Sequence, residues 1–175
     1  AIEDLEYSIY LDKAFVKSYN NLGNICYSRG NVDKAISYYI QAITIRPDFS
    51  DALSNLGVAL QQKGEIDRAI ATLDRAISID DDSLTRLNRG NAYVRKGEYD
   101  VAITDYNKAL VLEPDFAEAY LSRGNAYFSK GDYERAIFDF DKAINIKPNM
   151  ANYYLNRGMA YRDKRDYEKA KRDLD

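Results

Sequence analysis

Asn21, Asn55, Asn88 and Asn156 each stand two positions before a glycine, at Gly23, Gly57, Gly90 and Gly158, and Ser122 holds the same place before Gly124. One position after those glycines come Asn24, Val58, Asn91, Asn125 and Met159. A carboxamide both donates and accepts hydrogen bonds. A file of them at constant spacing can therefore hold the backbone of an extended peptide without reading its side chains. The competing role is local, since asparagine also caps or bridges neighbouring helices. Beside the amides run Tyr27, Leu87, Val94, Leu121, Phe128, Leu155 and Met159, an apolar strip suited to the side chains of a ligand. The three leucines read as packing between adjacent helices, which leaves Tyr27 and Phe128 as the contact candidates.

A second set is ionic. Arg89, Arg123 and Arg157 occupy the column filled by Leu22 and Leu56, and each is followed sixteen residues on by Asp105, Asp139 or Asp173. The two leucines are followed at that distance by Tyr38 and Thr72. An interior arginine left unpaired is costly, so the covariation within one chain predicts structural ion pairs Arg89–Asp105, Arg123–Asp139 and Arg157–Asp173. Asp4 falls in the aspartate column of an opening half-repeat.

Groups that could carry out a reaction are scarce. The chain has 175 residues with no histidine and one cysteine, which removes the usual neutral-pH base, a disulfide framework and the common zinc and Ser–His–Asp arrangements. Cys26 shares a column with Leu60, Tyr93 and Tyr127 and reads as a buried thiol. The "DDD" at 80–82 lacks the glycine and distal glutamate of a calcium loop and reads as a solvated turn. No cofactor, metal or catalytic residue is expected, and the chain is not expected to be an enzyme. With 25 Lys plus Arg against 28 Asp plus Glu, the net charge of −3 disfavours nucleic acid as a partner. No run of about 18 apolar residues could span a membrane. The chain reads as soluble and cytoplasmic.

The elements that position these residues repeat. "LNRGNAYVRKGEYDVAI" at 87–103 returns as "LSRGNAYFSKGDYERAI" at 121–137, and the glycines at 23, 57, 90, 124 and 158 follow at intervals of 34, 33, 34 and 34. Each unit carries two stretches of apolar residues at helical period, separated by a breaker such as "KGE" at 96–98 and ended by a proline such as Pro114, which restricts the residue before it. Alanine recurs at 35, 69, 102, 136 and 170, and at 42, 76, 109 and 143, where two helices approach closely. Gly30, Gly64, Gly97 and Gly131 suit helix C-termini with positive φ, and Arg165 breaks that column.

This pattern resembles the tetratricopeptide repeat, carried here by Tyr120, Gly124, Tyr127, Ala136, Phe140 and Pro148, with Arg123 in place of the family's leucine. The resemblance implies an all-α, right-handed superhelical solenoid of antiparallel helix pairs whose first helices line a concave groove. The register gives repeats at 16–49, 50–82, 83–116 and 117–150, an incomplete repeat at 151–175, and the second helix of a truncated repeat at 1–15. The 33-residue unit loses its residue in "DDDS" at 80–83, where Asp81 stands in the proline column.

The asparagine row is similar to that in the repeats of O-linked N-acetylglucosamine transferases. The asparagine row and the two aromatic candidates together give an expected peptide-binding set of Asn21, Asn24, Tyr27, Asn55, Asn88, Asn91, Asn125, Phe128 and Asn156. Lys17 is the only lysine on the inferred groove columns, so the carboxylate clamp of some chaperone adaptors in the family is not evident. The expected function is a non-catalytic scaffold binding a peptide segment of a partner protein. The alternatives are a self-assembly module that forms a homo-oligomer by stacking through uncapped ends, and the recognition arm of a larger enzyme such as a glycosyltransferase.

Overall fold

A computed structural model of the chain describes residues 16–175, and over them it forms ten α-helices and no strand. The helix expected within 1–15, with Asp4, lies outside the described residues. The chain divides into two units, one ending at Ala92 and the other starting at Tyr93. The first unit contains α1 (Val16–Ser28), α2 (Val32–Ile45), α3 (Ser50–Lys63), α4 (Ile66–Ile79) and most of α5 (Ser83–Arg95). The second contains α6 (Tyr99–Leu112), α7 (Ala117–Ser129), α8 (Tyr133–Ile146), α9 (Ala151–Asp163) and α10 (Tyr167–Leu174). The fold class is an all-α helical-repeat solenoid.

The turn within each helix pair is closed by the backbone. After α3, Gly64 N–H donates to the Gln61 carbonyl at 3.0 Å and Glu65 N–H to the Leu60 carbonyl at 2.9 Å. This double closure places Gly64 at φ +86, where a β-carbon would be strained. Gly30, Gly97 and Gly131 share the conformation, and so does Arg165, at φ 68, the one non-glycine with positive φ among the described residues. Between pairs the stop is different. Arg46 and Glu113, each before a proline, adopt extended backbone as the ring demands. Asp80 is extended without a following proline, and side chains fix that shortened turn instead. Asp82 accepts from the Thr85 N–H at 2.9 Å and its hydroxyl at 2.6 Å, while Asp81 receives two bonds from Arg86, at 2.6 and 2.7 Å.

Small residues set the packing. The alanines at 35, 42, 69 and 76 in the first unit, and at 102, 109, 136 and 143 in the second, are fully buried. The first-helix glycines are seats for a large side chain of the second helix. A β-carbon on Gly23 would lie 2.3 Å from Tyr39 Cε1, one on Gly57 2.5 Å from Leu73 Cγ, and one on Gly124 2.6 Å from Phe140 Cε1. That contact offsets the helix-propensity cost of glycine, about 1 kcal/mol against alanine. Cys26 is a buried free thiol in the core with Ile36, Tyr39, Leu56 and Leu60.

Candidate functional site

In the first unit the first helices α1, α3 and α5 carry the amide row, and hydrogen bonds join them side by side. Asn55 Nδ2 donates to Asn20 Oδ1 at 3.0 Å, and Asn88 Nδ2 reaches Ser54 Oγ at 3.5 Å. Gln61 Nε2 donates to the Asn88 carbonyl at 2.9 Å, and Thr85 Oγ1 meets Ser54 Oγ at 3.0 Å. Asn55 and Asn88 thus bridge each first helix to the one before it. The bridge uses half of the Asn55 amide. Its Oδ1 takes no partner among the described residues.

Asn24 is exposed on α1 and accepts from the Tyr39 hydroxyl at 2.8 Å, which leaves its Nδ2 for a ligand. Burial pushes the Tyr39 phenol well above its ordinary pKa, so the hydroxyl stays a donor. Asn24, Tyr27, Tyr39, Asn55 and Val58 line a cleft of about 220 Å³. A second cleft of about 370 Å³ shares Asn24 and Asn55 and adds Asn20, Ser54, Thr85, Leu84 and the carboxylates of Asp51, Asp80 and Asp82. The two clefts adjoin through Asn24 and Asn55 and are lined by residues of α1, α3 and α5.

The structure brings together Asn24, Tyr27 and Asn55 and places Asn88 beside them through Ser54. Asn21 is exposed on α1 and Asn91 half-buried on α5. In the second unit Asn125 is exposed on α7 and Asn156 half-buried on α9. Phe128 packs against the cluster of Ile137, Phe140 and Ala160, with its ring 5.5 Å from that of Tyr133. Leu121 packs into two core clusters and Leu87 is buried. Leu155 differs from the packing expected of it, since it is 50 % exposed on α9, the last first-helix of the chain.

The ionic set has a geometry that residue spacing only half revealed. Arg123 donates from Nε and Nη2 to the two Asp139 oxygens at 2.8 and 2.7 Å, and from Nη1 to Asn107 Oδ1 at 2.6 Å. Arg157 repeats this with Asp173 at 2.7 and 2.6 Å and with Asp141 at 2.6 Å. In the first unit Arg89 Nη1 donates to Asp74 at 2.6 Å. Its expected partner Asp105, which is buried, belongs to the second unit. Each of the three arginines therefore reaches the second helix of the preceding repeat. Arg123 and Arg157 also lie 5.5 Å over the rings of Tyr120 and Tyr154. Burial raises the Asp139 carboxyl above the usual range, with the Arg123 bonds acting against it. The Asp173 and Asp141 carboxylates hold Arg157 above its ordinary value against the opposing effect of burial.

The second arm had a signal in the sequence. Ile40 precedes the Leu56 repeat in the column where Asp74, Asn107 and Asp141 precede Arg89, Arg123 and Arg157, so apolar goes with apolar and polar with polar. The acidic wall of the larger cleft was missed because Asp51 and Asp80 lie at opposite ends of one helix pair, far apart in sequence, and share no column. Among the described residues no three His, Cys, Asp or Glu side chains form a metal cluster, and no helix is long and apolar enough to cross a membrane.

Family models described as TPR repeat match residues 23–64, 90–131 and 124–164, and a tetratricopeptide repeat model matches 50–83. No curated protein matches the chain. Among solved structures, the crystal structure of MamA protein is 27 % identical with a TM-score of 0.77, covering 91 % of this chain and 87 % of that one. YrrB, described as a TPR protein with an unusual peptide-binding site, is 21 % identical with a TM-score of 0.76, covering 99 % of this chain and 90 % of its own. PilW, described as a widely conserved type IV pilus biogenesis factor, is 19 % identical with a TM-score of 0.91, covering 97 % and 79 %. At such identities the last two show the fold alone.

Proposed function

Because the chain belongs to the tetratricopeptide repeat family of protein-interaction scaffolds, we propose that the groove along α1, α3 and α5 holds an extended segment of a partner protein. The observation that carries this reading is the cleft of about 220 Å³ lined by Asn24, Tyr27, Tyr39, Asn55 and Val58, in which Asn24 Nδ2 and Asn55 Oδ1 take no partner among the described residues. One donor and one acceptor meet the carbonyl and the N–H of a peptide unit, and the flanking rings and valine take an apolar side chain. In the first unit Asn21, Asn88 and Asn91 extend the amide surface, and in the second unit Asn125 and Asn156, with Phe128 as an apolar neighbour, are a separate candidate surface. The arginine pairs are structural and hold second helices in register, and the chain is a scaffold without catalytic residues.

The test is a peptide array probed with the full chain and with Val58→Trp, which fills the cleft. Circular dichroism confirms that the variant folds. The reading expects bound peptides to lose at least about tenfold in affinity, roughly 1.4 kcal/mol. Undiminished binding by a folded Val58→Trp variant would exclude the cleft as the site.

A further inference from the structure

The larger cleft adjoining the amide pair carries two carboxylates with nothing to neutralise them. Asp51 lies in the first turn of α3 and Asp80 caps the C-terminus of α4. Neither takes an ion-pair partner among the described residues, whereas Asp82 is held by Thr85 and Asp81 by Arg86. The cleft has more than charge. Asn20 is 7 % exposed and lines it, and while its Oδ1 accepts from Asn55, its Nδ2 has no partner among the described residues. No fully buried side-chain nitrogen or oxygen lacks a partner among the described residues, so this nitrogen opens to the cleft. Leu84, 54 % exposed, also lines the cleft and supplies apolar surface there.

From this arrangement we infer that the cleft of Asn20, Asp51, Asp80 and Leu84 receives a lysine or arginine side chain of the bound segment. The inference rests on the groove reading above and names the residue type that the groove selects. The Asn20 amide donates to the carbonyl of the basic residue, and Leu84 covers the methylene stem. The cationic head sits between Asp51 and Asp80, each of which offers two acceptor oxygens. A glutamate or aspartate in the same place would face two like charges, so the cleft discriminates by repulsion as well as attraction.

The experiment uses the full chain and a positional peptide array in which each position is varied among lysine, arginine, norleucine, citrulline and glutamate. One position should prefer lysine or arginine by about tenfold over norleucine or citrulline, and glutamate should be the weakest there. That preference should fall to about twofold or less in Asp51→Asn with Asp80→Asn, while peptides selected at the Asn24–Asn55 cleft still bind. Citrulline equal to arginine, or a basic preference that survives both substitutions, would overturn the inference and leave the groove reading standing. If no peptide bound the wild-type chain at all, both would fall.

Discussion

Arg157 grips Asp173 through two hydrogen bonds, at 2.7 and 2.6 Å, and gives its third nitrogen to Asp141 at 2.6 Å, so one side chain joins three helices. Arg123 does the same with Asp139 and Asn107. A guanidinium suits this use because its donors are fixed in a planar fork and it stays charged when buried.

Removing one partner should therefore be far worse than removing both. Asp139 is 1 % exposed, and Asp139→Ala strands the Arg123 charge, with an expected loss of about 3 kcal/mol in urea denaturation. The chain supplies its own replacement in Leu22 with Tyr38. Arg123→Leu with Asp139→Tyr should recover to within about 1 kcal/mol of the parent, a coupling measurable as a double-mutant cycle.

Gly124→Ala should destabilise although alanine is the better helix former. The new β-carbon would sit 2.6 Å from Phe140, itself 1 % exposed. The overpacking cost of roughly 1–3 kcal/mol outweighs the propensity gain of about 1 kcal/mol. Combining Gly124→Ala with Phe140→Leu should be less harmful than the sum of the two, which a thermal melt of the three variants would read.

Arg165→Gly should stabilise. The left-handed backbone at φ 68 costs an L-residue about 1–2 kcal/mol, and glycine removes that cost at an entropic penalty of about 0.5–1 kcal/mol. The net gain expected in denaturant is about 0.5–1 kcal/mol. The reverse change, Gly64→Ala, should lose about 1 kcal/mol with no steric contribution, because no atom lies within 4 Å of the added carbon.

Acid should weaken the start of α8 through one identifiable group. Arg135 donates from its side chain and its backbone N–H to Asp132 and holds that carboxyl below its usual value of 3.8. A lowered pKa in the folded state means that the contribution is present above 3.8 and is lost as pH falls through the folded value. Asparagine caps a helix as well as aspartate does but does not titrate. Asp132→Asn keeps the cap but lacks the charge facing Arg135, so it should be somewhat less stable than the parent near neutrality, lose less between about pH 5 and pH 2, and converge with the parent in acid, measured by urea midpoints across that range.

How far the sequence revealed the molecule varies from place to place. Helix pairs, the glycine turns and the alanine contacts were legible because each imposes a residue type on every repeat. The Arg123–Asp139 and Arg157–Asp173 partners were legible by comparing repeats within the chain. What stayed hidden depends on how helices pack in space, within a repeat and between repeats. Spacing alone does not show that Asn55 reaches back to Asn20, or that Asp80 at the end of α4 shares a cleft with Asp51 at the start of α3. Phe128 looked like a groove residue from its column. Its half-buried ring also meets Tyr133 and the core of its own helix pair, a contact the column did not show.

The proposed binding surface is formed by the first helices of the first unit. The most direct measurement is a nitrogen-15 NMR titration of the full chain with a peptide selected on the array. The largest shift changes should fall on Asn24, Tyr27, Asn55 and Val58, with Asn20 and Asp51 next to them. Changes centred on the outer residues of α2 and α4, such as Ile40 and Arg75, with those groove residues unmoved, would contradict it.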